Sequence, residues 1–148
     1  MIAILLAAAL AQMMPQPATN PSSSLASPPL GAIGRQSLPA SGCAAFLWST
    51  ADRALVAMAV ADPATLRLSI DGKTTDLARS GQQGAEALGF GATTSYAADG
   101  IAARLEMTIV SRENLSAGAQ VPNASLQLDR AGRDTLIVPV AGLIGCAA

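Results

Sequence analysis

The sequence predicts an all-β protein: a small antiparallel β-sandwich, immunoglobulin-like or jelly-roll-like, behind a signal peptide and a disordered Pro/Ser linker. Three observations lead there. From Cys43 onward apolar residues alternate with period two, as they do along strands with one buried face. Turn signals recur at about the 8–12-residue spacing of all-β domains. The only two cysteines, Cys43 and Cys146, bracket the patterned region and read as one structural disulfide.

The first eleven residues, MIAILLAAALA, form an apolar run well short of the roughly 20 residues a spanning helix needs. The run closes on Ala9-Leu10-Ala11, the small-x-small pattern cut by signal peptidase. Residues 1–11 are therefore expected to be a cleaved signal peptide, with Gln12 starting a periplasmic or secreted protein that keeps no transmembrane segment. Abundant alanine, with Lys73 the only lysine beside eight arginines, is the composition of a GC-rich bacterial genome.

Residues 12–41 carry Pro15, Pro17, Pro21, Pro28, Pro29 and Pro39 around Ser22–Ser24. A stretch of this kind offers too little apolar surface to offset its ordering entropy and reads as a disordered tether. Residues 42–148 are then a single domain. Ala40-Ser41-Gly42-Cys43 loosely resembles a lipoprotein box, but it stands far from the leader and lacks the usual leucine.

Within the domain, Ala44 to Trp48 starts a strand with Phe46 and Trp48 on one face and Cys43, Ala45 and Leu47 on the other. The two aromatics are expected at the centre of the core, since the chain has only four, Phe90 and Tyr96 being the others. Arg53 to Val60 is an apolar run with both strand and helix character. Thr65 to Ile70 alternates, Asp71-Gly72 suits a type I′ hairpin turn, and Lys73 to Arg79 returns as the partner strand.

Ser80 to Ala92 reads as a flexible loop, with a turn of helix around Ala85 to Leu88. It holds Gly81, Gly84, Gly89 and Gly91, and it is the place to look for binding, since binding residues concentrate on loops. Thr93 to Ala97 and Ile101 to Ser111 are strands joined by Asp99-Gly100. Asn114 to Gln120 is weak, Pro122 interrupts it, and Ala124 to Leu128 alternates again. A polar turn at Arg130 to Arg133 leads into Thr135 to Ile144, where Pro139 is expected to bend the strand or move it to the other sheet.

Chemistry is scarce. The chain has no histidine, which removes Ser-His-Asp and Cys-His arrangements and histidine-ligated metals. Its carboxylates are scattered singly, mostly in turns where Asp serves local hydrogen bonding. The glycines of 81–91 lack the Gly-Lys-Ser/Thr ending of a phosphate loop. Nine basic against ten acidic residues and a pI near 5.2 argue against nucleic-acid binding. Cys43 and Cys146 lie too far apart for a Cys-x-x-Cys redox pair and lack further metal ligands.

These readings lead to a non-catalytic exported domain without catalytic residues, cofactor or metal. It is expected to be a structural or protein-interaction module whose partner is another envelope protein, met through a sandwich edge strand. The alternative is a periplasmic small-ligand-binding protein with an apolar inter-sheet cavity gated by the Gly81–Gly91 loop.

Overall fold

The computed structural model describes residues 29–148. The expected leader, 1–11, and residues 12–28 of the expected linker lie outside them. In chain order the strands are β1 (Leu30–Gly31), β2 (Cys43–Ser49), β3 (Leu55–Val60), β4 (Thr65–Ile70) and β5 (Lys73–Gln83). They continue as β6 (Thr93–Ala98), β7 (Ile101–Val110), β8 (Gly118–Arg130) and β9 (Leu136–Cys146).

Strands β2 to β9 form an up-and-down meander in which each pairs antiparallel with its sequence neighbours. The last strand then pairs with the first, from Cys43↔Cys146 to Ser49↔Val140. The result is a closed eight-strand antiparallel barrel with one extra strand, β1, and not the expected sandwich. Alternation could not separate the two, because both architectures ask of each strand only that one face be buried. Closure is decided by the β2–β9 seam. There Gly142 lies so close to β2 that an added Cβ would collide with the Phe46 carbonyl oxygen.

One rim of the barrel, the turn rim, carries the connections 50–54, 71–72, 99–100 and 131–135. The opposite rim carries segments 61–64, 84–92 and 111–117 together with the disulfide. Inward-facing Leu47, Leu66, Leu68, Leu77, Leu105, Leu126 and Val140 are all buried, and Phe90 and Tyr96 complete the filling. An eight-strand barrel is about wide enough inside for side chains to fill it. Charged residues such as Asp76, Arg104 and Glu106 face out, the inverse of a barrel that spans a bilayer.

Phe46 and Trp48 do stand opposite Ala45 and Leu47, but theirs is the outer face. The core expectation for them fails because Ala45 and Leu47 take the inward face of β2, which turns the alternate residues Phe46 and Trp48 outward. Strand limits shift as well. The β5 strand extends to Gln83, past a bulge at Arg79/Gly81, into the region read as loop. The β8 strand runs through Pro122 by a register shift between Val121 and Ala124. No change of sheet occurs at Pro139, which lies one residue beyond the last β2 pair and accepts a bond from the Thr50 amide (3.1 Å).

From Pro29 the chain is built into the barrel wall. Near the turn rim β3 and β4 diverge, and β1 enters the gap, pairing Leu30↔Ile70 and Gly31↔Ser69. Leu30 joins the interior while Ile33 covers Ala44 and Met58 on the outside. The segment then crosses β2 towards β9, where Leu38 lies over Gly145. Gln36 fastens this strap: its amide donates to the Ile33 carbonyl (2.8 Å) and its oxygen accepts from Arg67 (2.9 Å).

Candidate functional site

Gly84, Gly89 and Gly91 fall on the β5–β6 connection at the disulfide rim and have a structural task, while Gly81 lies in the end of β5 beside it. Gly84 and Gly89 take positive φ, 85° and 87°. A Cβ on Gly91 would lie 2.5 Å from Gln82 Cγ, and one on Gly89 would lie 2.8 Å from Ala61 Cβ. The loop is thus pressed against β5 and the β3–β4 turn. Gly81 sits in β5, and a Cβ there would meet open space.

The expected helical turn is instead a tight hairpin. Ala87 and Phe90 exchange both backbone bonds, at 2.8 and 2.9 Å, around Leu88-Gly89. Phe90 is buried in the core and anchors the hairpin over the barrel end as a plug. Leu88 at its tip has φ 55° and is 40% exposed. Holding a leucine in the left-handed region costs on the order of 1 kcal/mol.

Below the plug, Thr94 and Tyr96 point into the barrel from β6. Thr94 Oγ1 is buried and makes no hydrogen bond, a cost that a valine of the same shape would not carry. Burial pushes the Tyr96 phenol up to about 12, against an opposing effect from the Arg79 charge.

On the outer wall, β9 presents Ile137, Pro139 and Leu143 in a strand without a charged residue. Ile137 is 61% and Leu143 49% exposed. Leu143 lies beside Phe46 and Ala141 beside Trp48 across the seam. The strap covers the β3 side of this apolar band and the end of β9 at Gly145, and leaves Ile137 to Leu143 open. No analysis of periodicity in one strand reveals this band. Its sequence signal is that β2, β3 and β9 all lack charge on both faces.

At the turn rim a cavity of about 390 Å³ has Ile70, Thr75 and Ile101 beside Lys73, Asp99 and Arg130. Arg130 donates to Asp71 (2.7 Å), joining β8 to the β4–β5 turn on the far side of the barrel. Elsewhere Arg67 binds Asp76 through two bonds, 2.8 and 3.0 Å, and holds that carboxyl below its usual value. Thr135, then Gln127, do the same for Asp129. The backbone amide of Ala54 does so for Asp52. Each of these carboxylates is occupied by its local structure. Among the described residues no cluster of three or more His, Cys, Asp or Glu could hold a metal ion.

Cys43 and Cys146 are bonded to each other across the seam, with Cα atoms 4.0 Å apart. That is the bridge expected from the sequence, and it leaves Cys43 no thiol for acylation. Comparisons of the chain with protein-family models, with characterised proteins and with solved structures found no match.

Proposed function

We propose that this chain is a non-catalytic exported domain that binds another envelope protein through the outside of its barrel. The observation that carries this reading is the uncovered apolar row Ile137, Pro139 and Leu143 beside Trp48. Surface apolar side chains scattered singly need no explanation, but a contiguous row on an uncharged strand marks a contact surface. The filled interior supports the same view, because it leaves the outside as the surface available for recognition. Export is supported by the leader-like start and by the disulfide, which suits an oxidising compartment.

Closure changes how a partner would be met. A sandwich would have offered edge strands, whereas a closed barrel has its edges paired. The partner is therefore met by side chains of the wall and not by added strands. A small-ligand reading has one specific observation in its favour, the cavity of about 390 Å³ at the turn rim, which falls within the usual range of ligand sites. An inter-sheet cavity is not available to it, since there are not two sheets.

The test is retention of a partner by the protein isolated from its own envelope fraction. Ile137→Lys with Leu143→Lys changes only exposed positions, so the barrel should stay folded. The wild type is expected to hold a protein that the double variant loses. A partner held equally by both, or a small molecule in its place, would contradict the proposal.

A further inference from the structure

Among the described residues, three hairpin turns have positive φ at both central positions. They are Asp71-Gly72 (50°, 80°), Asp99-Gly100 (48°, 75°) and Leu88-Gly89 (55°, 87°). These are the φ values of type I′ turns, whose first central position favours Asn, Asp or Gly. Twice the chain follows the rule. At the third turn, with nearly the same backbone, it places a leucine, which tolerates that conformation poorly.

Phe90, two residues on, already anchors the hairpin in the core at 2% exposure, whereas Leu88 leaves 40% of itself in solvent. An aspartate would make the same turn with less strain. A strained, exposed apolar tip on a hairpin fixed by its own anchor has the form of a recognition element. Its position is fixed before contact, so little ordering remains to be done on binding.

We propose that the Leu88-Gly89 hairpin is a docking tip that inserts Leu88 into an apolar pocket of a partner protein. Glu86 is the one charged residue between Ser80 and Ala92 and is exposed beside the tip. The pocket therefore takes one leucine side chain and carries basic groups at its rim. Gly89 packs on Ala61 of the β3–β4 turn, so the tip lies over the barrel end at the disulfide rim, whereas Ile137 to Leu143 run along the outer wall. It is a separate contact and does not depend on that wall.

The test has two parts, both on the full chain. Leu88→Asn relieves the strained position and removes the apolar tip. Its melting temperature is expected to equal or exceed that of the wild type, and a loss of several degrees, or failure to fold, would show that the fold itself needs Leu88. In parallel, benzoylphenylalanine placed at position 88, and at position 99 as the control turn, is photo-crosslinked in the native envelope. The expected outcome is an adduct at 88 and not at 99. The captured protein, once purified, should bind wild type at least about tenfold more tightly than Leu88→Asn, with Glu86→Lys also weakened. No adduct at 88, an equal one at 99, or unchanged affinity would overturn the proposal. If instead Ile137→Lys/Leu143→Lys alone loses its partner, the wall is in use and the tip is not.

Discussion

Single side chains in this barrel show how burial outweighs polarity. Tyr96 is the chain's only tyrosine and is almost wholly buried, so its titration can be read without interference. Its folded value is raised to about 12 from 10.0. The neutral phenol is the form favoured in the folded state. The stability it contributes is complete below pH 10.0 and is lost as pH rises through about 12. In an absorbance titration, phenolate should appear near pH 12 or together with unfolding, and a simple transition at pH 10 would contradict the burial. Asp76 has the opposite sign. Its carboxyl is held below 3.8 by Arg67, so its contribution is present above that value and fades as pH falls through the lower folded value. Both partners are about half exposed, so the effect is small.

At the scale of elements, Thr65–Ile70 was fully legible because alternation, an Asp-Gly turn and a returning strand all agree there. The boundaries that moved are those where tertiary pairing prevailed over local signals. Gln82 and Gln83 carry no apolar alternation, yet they pair with Thr94 and Thr93 and so extend β5. Pro122 suggested a break, but a register shift places it where the ladder can pass. The candidate loop was legible as a location and illegible as a device. Four glycines announce an irregular connection, but only the contacts of Phe90 and Ala61 show that it is clamped.

The strap is the clearest case of an element hidden by composition. Prolines and serines hide the two-residue strand at Leu30–Gly31, which is stabilised by a gap between β3 and β4 and not by propensity. Leu30 fills that gap from within, 6% exposed. Leu30→Ala should therefore cost about 2–3 kcal/mol, at the low end for a buried leucine, because the open rim can relax around the loss. Denaturant unfolding measures it. A cost below about 0.5 kcal/mol would mean that the strap rests on the barrel without sealing it.

For the whole molecule, the missed signal was the disulfide. A bond joining the start of the first barrel strand to the end of the last requires those strands to lie together. Combined with short connections throughout, that adjacency closes a meander into a ring. The pairing of Cys43 with Cys146 across 103 residues carries topology as well as stability. In the chain-entropy picture so long a loop contributes roughly 4.7 kcal/mol at most, with smaller values common. The bridge sits at the rim of a seam that also has Leu47 and Ile144 packed behind it, so it secures a closure that backbone pairing already makes.

Everything assigned to the outer wall depends on that closure, since an open sheet would offer edge strands in place of side chains. Amide hydrogen exchange across the seam tests it most directly, followed residue by residue along β2 and β9 with the disulfide intact. If the barrel is closed, the amides that bond across the seam should be protected as strongly as those joining β7 to β8. They should then exchange only through global unfolding. Rapid exchange confined to the facing sides of β2 and β9, with β7 and β8 still protected, would mean two free edges and would contradict the closed barrel.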